Sequence, residues 1–405
     1  MQLRHKSLLV IVTALLPTYL IRFEVFGVPT NLLEILIAAT FLIGLSQPEI
    51  RGQWKAAWSA LPRQIKIAIG LFLLATIIST ATSPHLHTSL GILKGWIFIP
   101  ILFAWMVFAA CNQITNYKLQ ITNTLIASGT VTSLFAFSQI GQLDRLRGPF
   151  DVPNSLALFL APLIVLAVGS AIKNYNFRIT NYKLQIAAII MFLALLGTES
   201  LAGIASVITI LVATHIRSYR EYKLQATSYK LLPFVILLML TAVVAAPKIE
   251  YLTQPNSSAA VRLQLWSVSW ELVQEHPILG VGLGTFEPAY QQKLHQRFAQ
   301  YKKLTKLEAN EASTQPLAEW VFRDPHNWPL SFWLNTGLLG LLSFIYLHAW
   351  LFNRLRITNY KLPPPALALA TLLIFGLVDT IFWKNDLATL HFVLVALALH
   401  SPRKT

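Results

Sequence analysis

Long apolar stretches with almost no charge follow one another from one end of this chain to the other, and they constrain its fold more than any other feature. Charged residues make up only 12% of the 405 residues, against 55% hydrophobic. A soluble domain carries about a quarter charged residues. Recurring runs of this kind predict a polytopic, all-α integral membrane protein. Twelve spans are expected, over Ser7–Ile21, Asn31–Leu45, Ile67–Thr82, Leu90–Ala110, Thr122–Ile140, Ser155–Ile172, Leu184–Gly197, Leu201–Ile216, Leu231–Ala246, Trp328–Leu351, Ala366–Thr380 and Leu387–His400. The first passes into the second without a small-residue cleavage site, so it reads as a retained span. Several are shorter than the about 20 residues of a full crossing.

The net charge of +15 invites a nucleic-acid partner. The placement of the charges argues against one. With the N-terminus inside, the inner segments hold Arg4, Lys6, Arg51, Lys55, Arg63, Lys66 and Lys118, and further basic residues to Arg403 and Lys404, against two acids, Glu49 and Glu221. The short outer loops hold only Arg22, Arg145, Arg147 and Lys384. This positive-inside pattern puts both termini in the cytoplasm of a cell-membrane protein. The sequence ITNYKL recurs at Ile114, Ile179 and Ile357, each time in a predicted inner loop; its irregular spacing fits a basic linker better than a structural repeat. The lone Cys111 excludes an internal disulfide and a cysteine-based zinc site.

The expected organisation is thus residues 1–246 as nine spans with short loops, 247–327 as a large extracytoplasmic helical loop, and 328–405 as three further spans with a short tail. The large loop carries eight of the chain's Lys and Arg residues, while the spans contain few charges, namely Glu34, Lys94 and Asp379. Chemistry is therefore expected outside the spans.

Within that loop, Ser257–Pro277 has helical periodicity, with Ser257 or Ser258 to cap it and Pro277 to stop it. Val261, Leu265, Val268 and Leu272 form one apolar stripe; Leu263, Trp266, Trp270 and Val273 form a second. Gln264, Ser267, Glu271, Gln274 and Glu275 make the polar face. The helix is expected along the outer membrane interface. Arg262 projects between the two stripes, so it either snorkels to lipid headgroups or meets an anion such as phosphate, whose geometry its guanidinium fork matches. Gly280, Gly282 and Gly284 follow and let the backbone turn or approach a ligand closely. Arg147 precedes a proline-rich turn, and Asn154 or Ser155 caps the next span. Arg147 is either an interfacial anchor or a second phosphate ligand.

His326 and Asn327 stand where the large loop enters a span, with nine residues between Asn327 and Gly337 and two more between Gly337 and Gly340. An imidazole titrates near neutral pH and can accept a proton there. Asn327 and Asp324 are candidates to fix its tautomer, or to cap the helix. Gly337 and Gly340 would let another helix pack closely. His85 and His87 face outside, but two histidines without a third ligand make a poor metal site.

This His-Asn-x9-Gly-x2-Gly stretch resembles the signature of the O-antigen ligase and polymerase superfamily. The stretches RGPFDVPNSLALFLAP and RLQLWSVSWELVQEHPILGVGLGTF resemble two further family segments. One departure stands out: the family's Thr-x-Ser-Arg reads TESL here, with Leu201 at the arginine position. Lys248 and Arg323 are candidates to supply the missing cation. The resemblance implies glycosyl transfer outside the cytoplasm, from a polyprenyl (undecaprenyl-type) pyrophosphate-linked glycan to a hydroxyl on lipid, glycan or protein. It implies His326 as general base, Arg147 and Arg262 on the pyrophosphate, and Asn154, Asn327, Gly282 and Gly284 lining the substrate. Inversion would follow, with no cofactor; no Asp-x-Asp stands outside to hold a divalent ion. The leading expectation is an O-antigen ligase or polymerase-like glycosyltransferase; the alternative is a protein O-oligosaccharyltransferase of the same superfamily, which differs only in its acceptor. A lipid-linked glycan transporter would predict two related halves, which the sequence lacks.

Overall fold

In the computed structural model the described residues are 2–25, 28–114, 116–173, 178–179, 182–222, 257–305, 322–358 and 362–400. The expected span Leu231–Ala246, Lys248 and the central residues of each ITNYKL copy fall wholly or partly outside them. The chain is mostly helical. Helices α1 (Gln2–Ala14), α2 (Leu32–Leu45), α3 (Pro48–Ala60), α4 (Arg63–Ala81), α5 (Leu86–Ile92) and α6 (Ile99–Gln113) open the bundle, and a π-helical turn, Leu93–Phe98, joins the last two. They are followed by α7 (Tyr117–Phe137), α8 (Pro153–Ala171), α9 (Tyr182–Gly197) and α10 (Leu201–Tyr222). The outer loop contributes α11 (Ser258–Glu275) and α12 (Phe286–Thr305), and the chain closes with α13 (Trp328–Thr358), α14 (Pro364–Phe375) and α15 (Asn385–Leu399). Among the described residues the strands form two short antiparallel ribbons, Arg22–Val25 with Val28–Asn31 and Ile172–Lys173 with Arg178–Ile179.

Four stretches among the described residues are long and apolar enough to cross a bilayer: Arg63–Ala81, Leu86–Gln113, Pro153–Ala171 and Trp328–Arg356. A fifth arises if α2 and α3, bent by 102°, count as one broken span; the other apolar helices are shorter. The fold is that of a multi-pass helical membrane protein. Its residue distribution follows that solvent. Along α4, Ile67, Leu71, Leu74 and Ile77 point outward, spaced to form one stripe. Water would penalise such a face, whereas lipid accepts it. Helix α8 is apolar all round, and Leu156 to Ala167 are all buried between α9, α10 and α14. Helix α4 packs on α13 through Phe72, which meets Phe332 and Phe344.

Two of the three charges expected inside spans form a pair. Lys94 Nζ lies 2.9 Å from Glu34, whose carboxylate also accepts from Asn31 and Asn385 at 2.9 and 2.8 Å. A buried charge with several partners avoids the desolvation penalty of a lone one. The third, Asp379, lies beyond the end of α14, in the non-helical stretch before α15, and not within a span.

Several contacts join segments that the charge pattern assigns to one side of the membrane. At one end Tyr117 donates to the Lys6 carbonyl at 2.7 Å, and His400 meets Asn112 at 2.9 Å. At the other, Arg22 lies 3.7 Å from Asp151, and Arg145, Thr198, Arg262, His326 and Asp379 gather in one hydrogen-bonded group. All of these belong to loops expected on the same side of the membrane.

Helix α13 is broken, and the break fastens the outer loop to the bundle. Gly337 has φ 69° and ψ −179°, a region closed to other residues. The backbone it frees is taken up by the loop after α11: Val281 N donates to Leu334 O at 2.8 Å, and Leu338 N to Ile278 O at 2.9 Å. Gly337 therefore serves a loop and not a neighbouring helix, while Gly340 does face Ala75 of α4.

Candidate active site

The site forms where four segments meet: the stretch before α8, the start of α11, the stretch before α13 and the stretch after α14. Each local conformation has a sequence cause. Ser257 caps α11, accepting from Ala260 N at 3.2 Å, and the helix ends at Glu275 just before Pro277. Leu265 and Val268 of the first stripe are fully buried. The polar face is covered by α12: Gln264 donates to Tyr290 at 2.8 Å, and Arg297 binds Glu271 and Ser267. Hydrogen bonding from Arg297 holds the Glu271 carboxyl below its ordinary range against a smaller opposing effect of burial. The second stripe keeps Leu263 and Trp270 exposed, as expected of a helix resting on a membrane surface.

Arg262 points toward the loop that follows α14. Its Nε donates to the Val378 carbonyl at 2.7 Å, its Nη1 to Ser258 O at 3.2 Å, and its Nη2 lies 3.6 Å from Asp379 Oδ2. Five N–H groups serve these three partners, so N–H groups on both terminal nitrogens remain for a ligand.

His326 sits in a left-handed turn, φ 52°. Asp324 fixes that turn: it accepts the His326 backbone N–H at 2.9 Å and the Thr380 hydroxyl at 2.8 Å, and also binds Ser331. The ring Nδ1 lies 3.0 Å from Asp379 Oδ1. A carboxylate only accepts, so Nδ1 carries the proton and Nε2 presents its lone pair. No hydrogen-bond partner of Nε2 occurs among the described residues, and the side chain is 31% exposed. Burial disfavours the imidazolium, but the Asp379 hydrogen bond and the charges of Asp379 and Asp324 outweigh it and hold His326 above its ordinary pKa. For Asp379, burial raises the pKa, yet its contacts with His326 and Arg262 prevail and hold the carboxyl below its usual range.

Asp379 is thus the hub. Besides His326 and Arg262, it accepts from Asn154 Nδ2 at 2.9 Å and from the Thr380 backbone N–H at 2.8 Å. Of the residues singled out in sequence, His326, Arg262 and Asn154 meet there. Asn327 does not reach the ring; it caps α13 through Leu330 N at 3.1 Å and donates to Leu377 O at 2.9 Å. Gly282 and Gly284 have positive φ and stand beside Ser83 and Ile92, where a side chain would collide, so they bring the loop onto the α4–α5 corner. Arg147 is exposed, and among the described residues its side chain hydrogen-bonds only Asp151 O, at 3.4 Å. Sequence reasoning missed Asp379 and Arg145. A lone aspartate in an otherwise apolar segment was the available signal for the first.

Residues 186–345 match the family described as O-antigen ligase. The O-antigen ligase of Salmonella typhimurium is 29% identical over 172 residues, which cover 41% of this chain and 38% of that protein. The chain therefore aligns with well under half the length of this relative. The family match contains Arg262 and His326, while Asn154 and Asp379 reach the same site from outside it. The motifs and these two matches make the chain similar to the O-antigen ligase family across the segment that carries Arg262 and His326.

Proposed function

We propose that this protein is a membrane glycosyltransferase that moves a glycan from a polyprenyl-pyrophosphate carrier to an acceptor hydroxyl at the outer face of the cell membrane, with both termini cytoplasmic. The observation that carries this reading is the meeting of one guanidinium and one imidazole on the Asp379 carboxylate. The guanidinium fork matches a phosphate, and the imidazole keeps a lone pair directed away from the carboxylate.

The chemistry follows from those two groups. The acceptor oxygen attacks the anomeric carbon from the face opposite the leaving group. His326 Nε2 takes the hydroxyl proton as the new C–O bond forms. The bond to the carrier breaks with its electron pair on the pyrophosphate oxygen, and Arg262 stabilises the charge released there. Inversion at the anomeric carbon results. Asp379 touches neither reactant; it holds the His326 tautomer and offsets the imidazolium that forms, a division of labour familiar from hydrolytic triads. Asn154 keeps Asp379 in place.

The test is direct. Purified protein in lipid nanodiscs is given a labelled polyprenyl-pyrophosphate glycan and a panel of lipid, glycan and protein acceptors. Label should pass to one acceptor class, with inverted linkage. Label that remains on the carrier with every acceptor removes the proposal.

A further inference from the structure

Two arginines stand two residues apart in the stretch before α8, and the fold treats them differently. The Leu146 backbone N–H donates to Gly197 O at 2.8 Å, and the buried Leu146 side chain rests on Gly197. That pairing lays Arg145 along the α9–α10 turn. Its Nε donates to Thr198 O at 2.9 Å, its Nη2 to Asn154 Oδ1 at 3.4 Å, and Glu199 lies 3.9 Å away. Asn154 in turn donates to Asp379, so one amide separates the Arg145 fork from the hub that holds Arg262 and His326. Among the described residues Nη1 of Arg145 has no partner. The Arg147 side chain, by contrast, is exposed, and its backbone does the work there. Gln139 Oε1 accepts from Arg147 N at 3.1 Å and Gly148 N at 2.9 Å, bracing a turn in which Gly148 has φ 58°.

We infer that Arg145, and not Arg147, is the second guanidinium on the anionic diphosphate of the donor. It supplies the cation that Leu201, the first residue of α10, does not. Arg323 is 88% exposed and directed at Glu287, 3.8 Å away, so it is not that cation. An anion held between Arg145 and Arg262 meets two forks whose orientations are set by carbonyl oxygens and by Asn154 and Asp379, which lowers the cost of ordering them. The inference rests on the transferase reading only for the identity of the anion.

The experiment uses the full chain in nanodiscs and a sugar-free polyprenyl pyrophosphate, with binding and glycan transfer measured separately. Arg145→Ala should weaken binding by roughly 10- to 100-fold, the range for losing a hydrogen bond to a charged group. Arg145→Lys should fall between it and the parent protein, because a point charge replaces the fork. Arg147→Ala should stay within about twofold of the parent, as expected for an exposed charge. Because Arg145 also braces Thr198, the thermal midpoint of each variant is measured. Leu201→Arg added to Arg145→Ala should restore part of the affinity. Unchanged binding in Arg145→Ala, or a larger loss in Arg147→Ala, overturns the inference. Loss of pyrophosphate binding in Arg145→Ala from a protein that transfers no glycan leaves the inference standing and sinks the transferase reading.

Discussion

His326 and the His348–His391 pair use the same imidazole in opposite surroundings. The pair lies between α13 and α15, with the two Nε2 atoms 3.1 Å apart and both residues buried. His348 Nδ1 is 2.7 Å from Phe344 O, and the rings lie among Phe344, Phe382 and Phe392. A donor on His391 Nε2 and an acceptor on His348 Nε2 satisfy the contact with both rings neutral. Among the described residues no carboxylate touches either ring. His326 has a carboxylate on one nitrogen and an open side on the other. In the proposed mechanism His326 is set apart from the interior pair by its neighbours and its access, not by burial.

The strongest attack on that contrast is to remove the exposed imidazole. His326→Ala should lower transfer by about 10²- to 10⁴-fold, the usual contribution of a general base, while membrane insertion and the melting temperature stay near those of the parent. Turnover measured with saturating donor decides it, and undiminished turnover would end the assignment of His326 as base. Next in size is Asp379→Asn, with an expected loss of more than roughly tenfold, since the ring then lacks its orienting carboxylate. The pH profile gives a second readout with a definite sign. Asp379 and Asp324 hold the His326 pKa above its ordinary value against burial, so the unprotonated base accumulates only as pH rises through that raised value. In Asp379→Asn the acidic limb of the rate profile should move to lower pH even as the maximum falls. A limb that stays in place would mean that another group sets it.

The contrast also marks what the sequence could convey. Ser257 as a helix cap, and Arg262 between two apolar stripes, follow from local periodicity, and the structure reproduces both. Glu34 and Lys94 were visible as charges in apolar runs, though not as partners. The hub was not visible, because His326 and Asp379 are 53 residues apart and Asn154 and Asp379 are 225 apart. No spacing rule links connections that meet only when the helices between them have packed. Arg145 and Arg147 illustrate the same limit at short range. Both precede the same turn, and a single backbone bond from Leu146 to a distant helix end decides which side chain faces inward. The cover that α12 places over the polar face of α11, and the sharp turn into α3, likewise depend on contacts between segments.

A milder test acts on the anion side of the site. Arg262→Lys keeps the charge but gives up the fork, and the bonds to Val378 O and Ser258 O can no longer both be made from a fixed plane. Transfer should drop by about tenfold, with the acidic limb of the pH profile unmoved, because the charge facing Asp379 persists. A shift in that limb would show that Arg262 acts mainly through His326, which would merge two roles that the geometry keeps apart.

The smallest expected effect lies in the interior pair, and it is the sharpest check on the comparison. His391→Phe keeps a planar ring of similar size in a pocket already lined by Phe344, Phe382 and Phe392. His348 loses one hydrogen bond on Nε2 and keeps the one to Phe344 O, so stability should fall by about 1 kcal/mol. Transfer should stay within about twofold of the parent, because nothing in the pair touches the Asp379 hub and the rings have no open side through which a proton could leave. A loss on the scale of His326→Ala, in a variant that still folds, would mean that the interior imidazoles carry a proton for the reaction, and that enclosure is a poor guide to which histidines in this protein are silent.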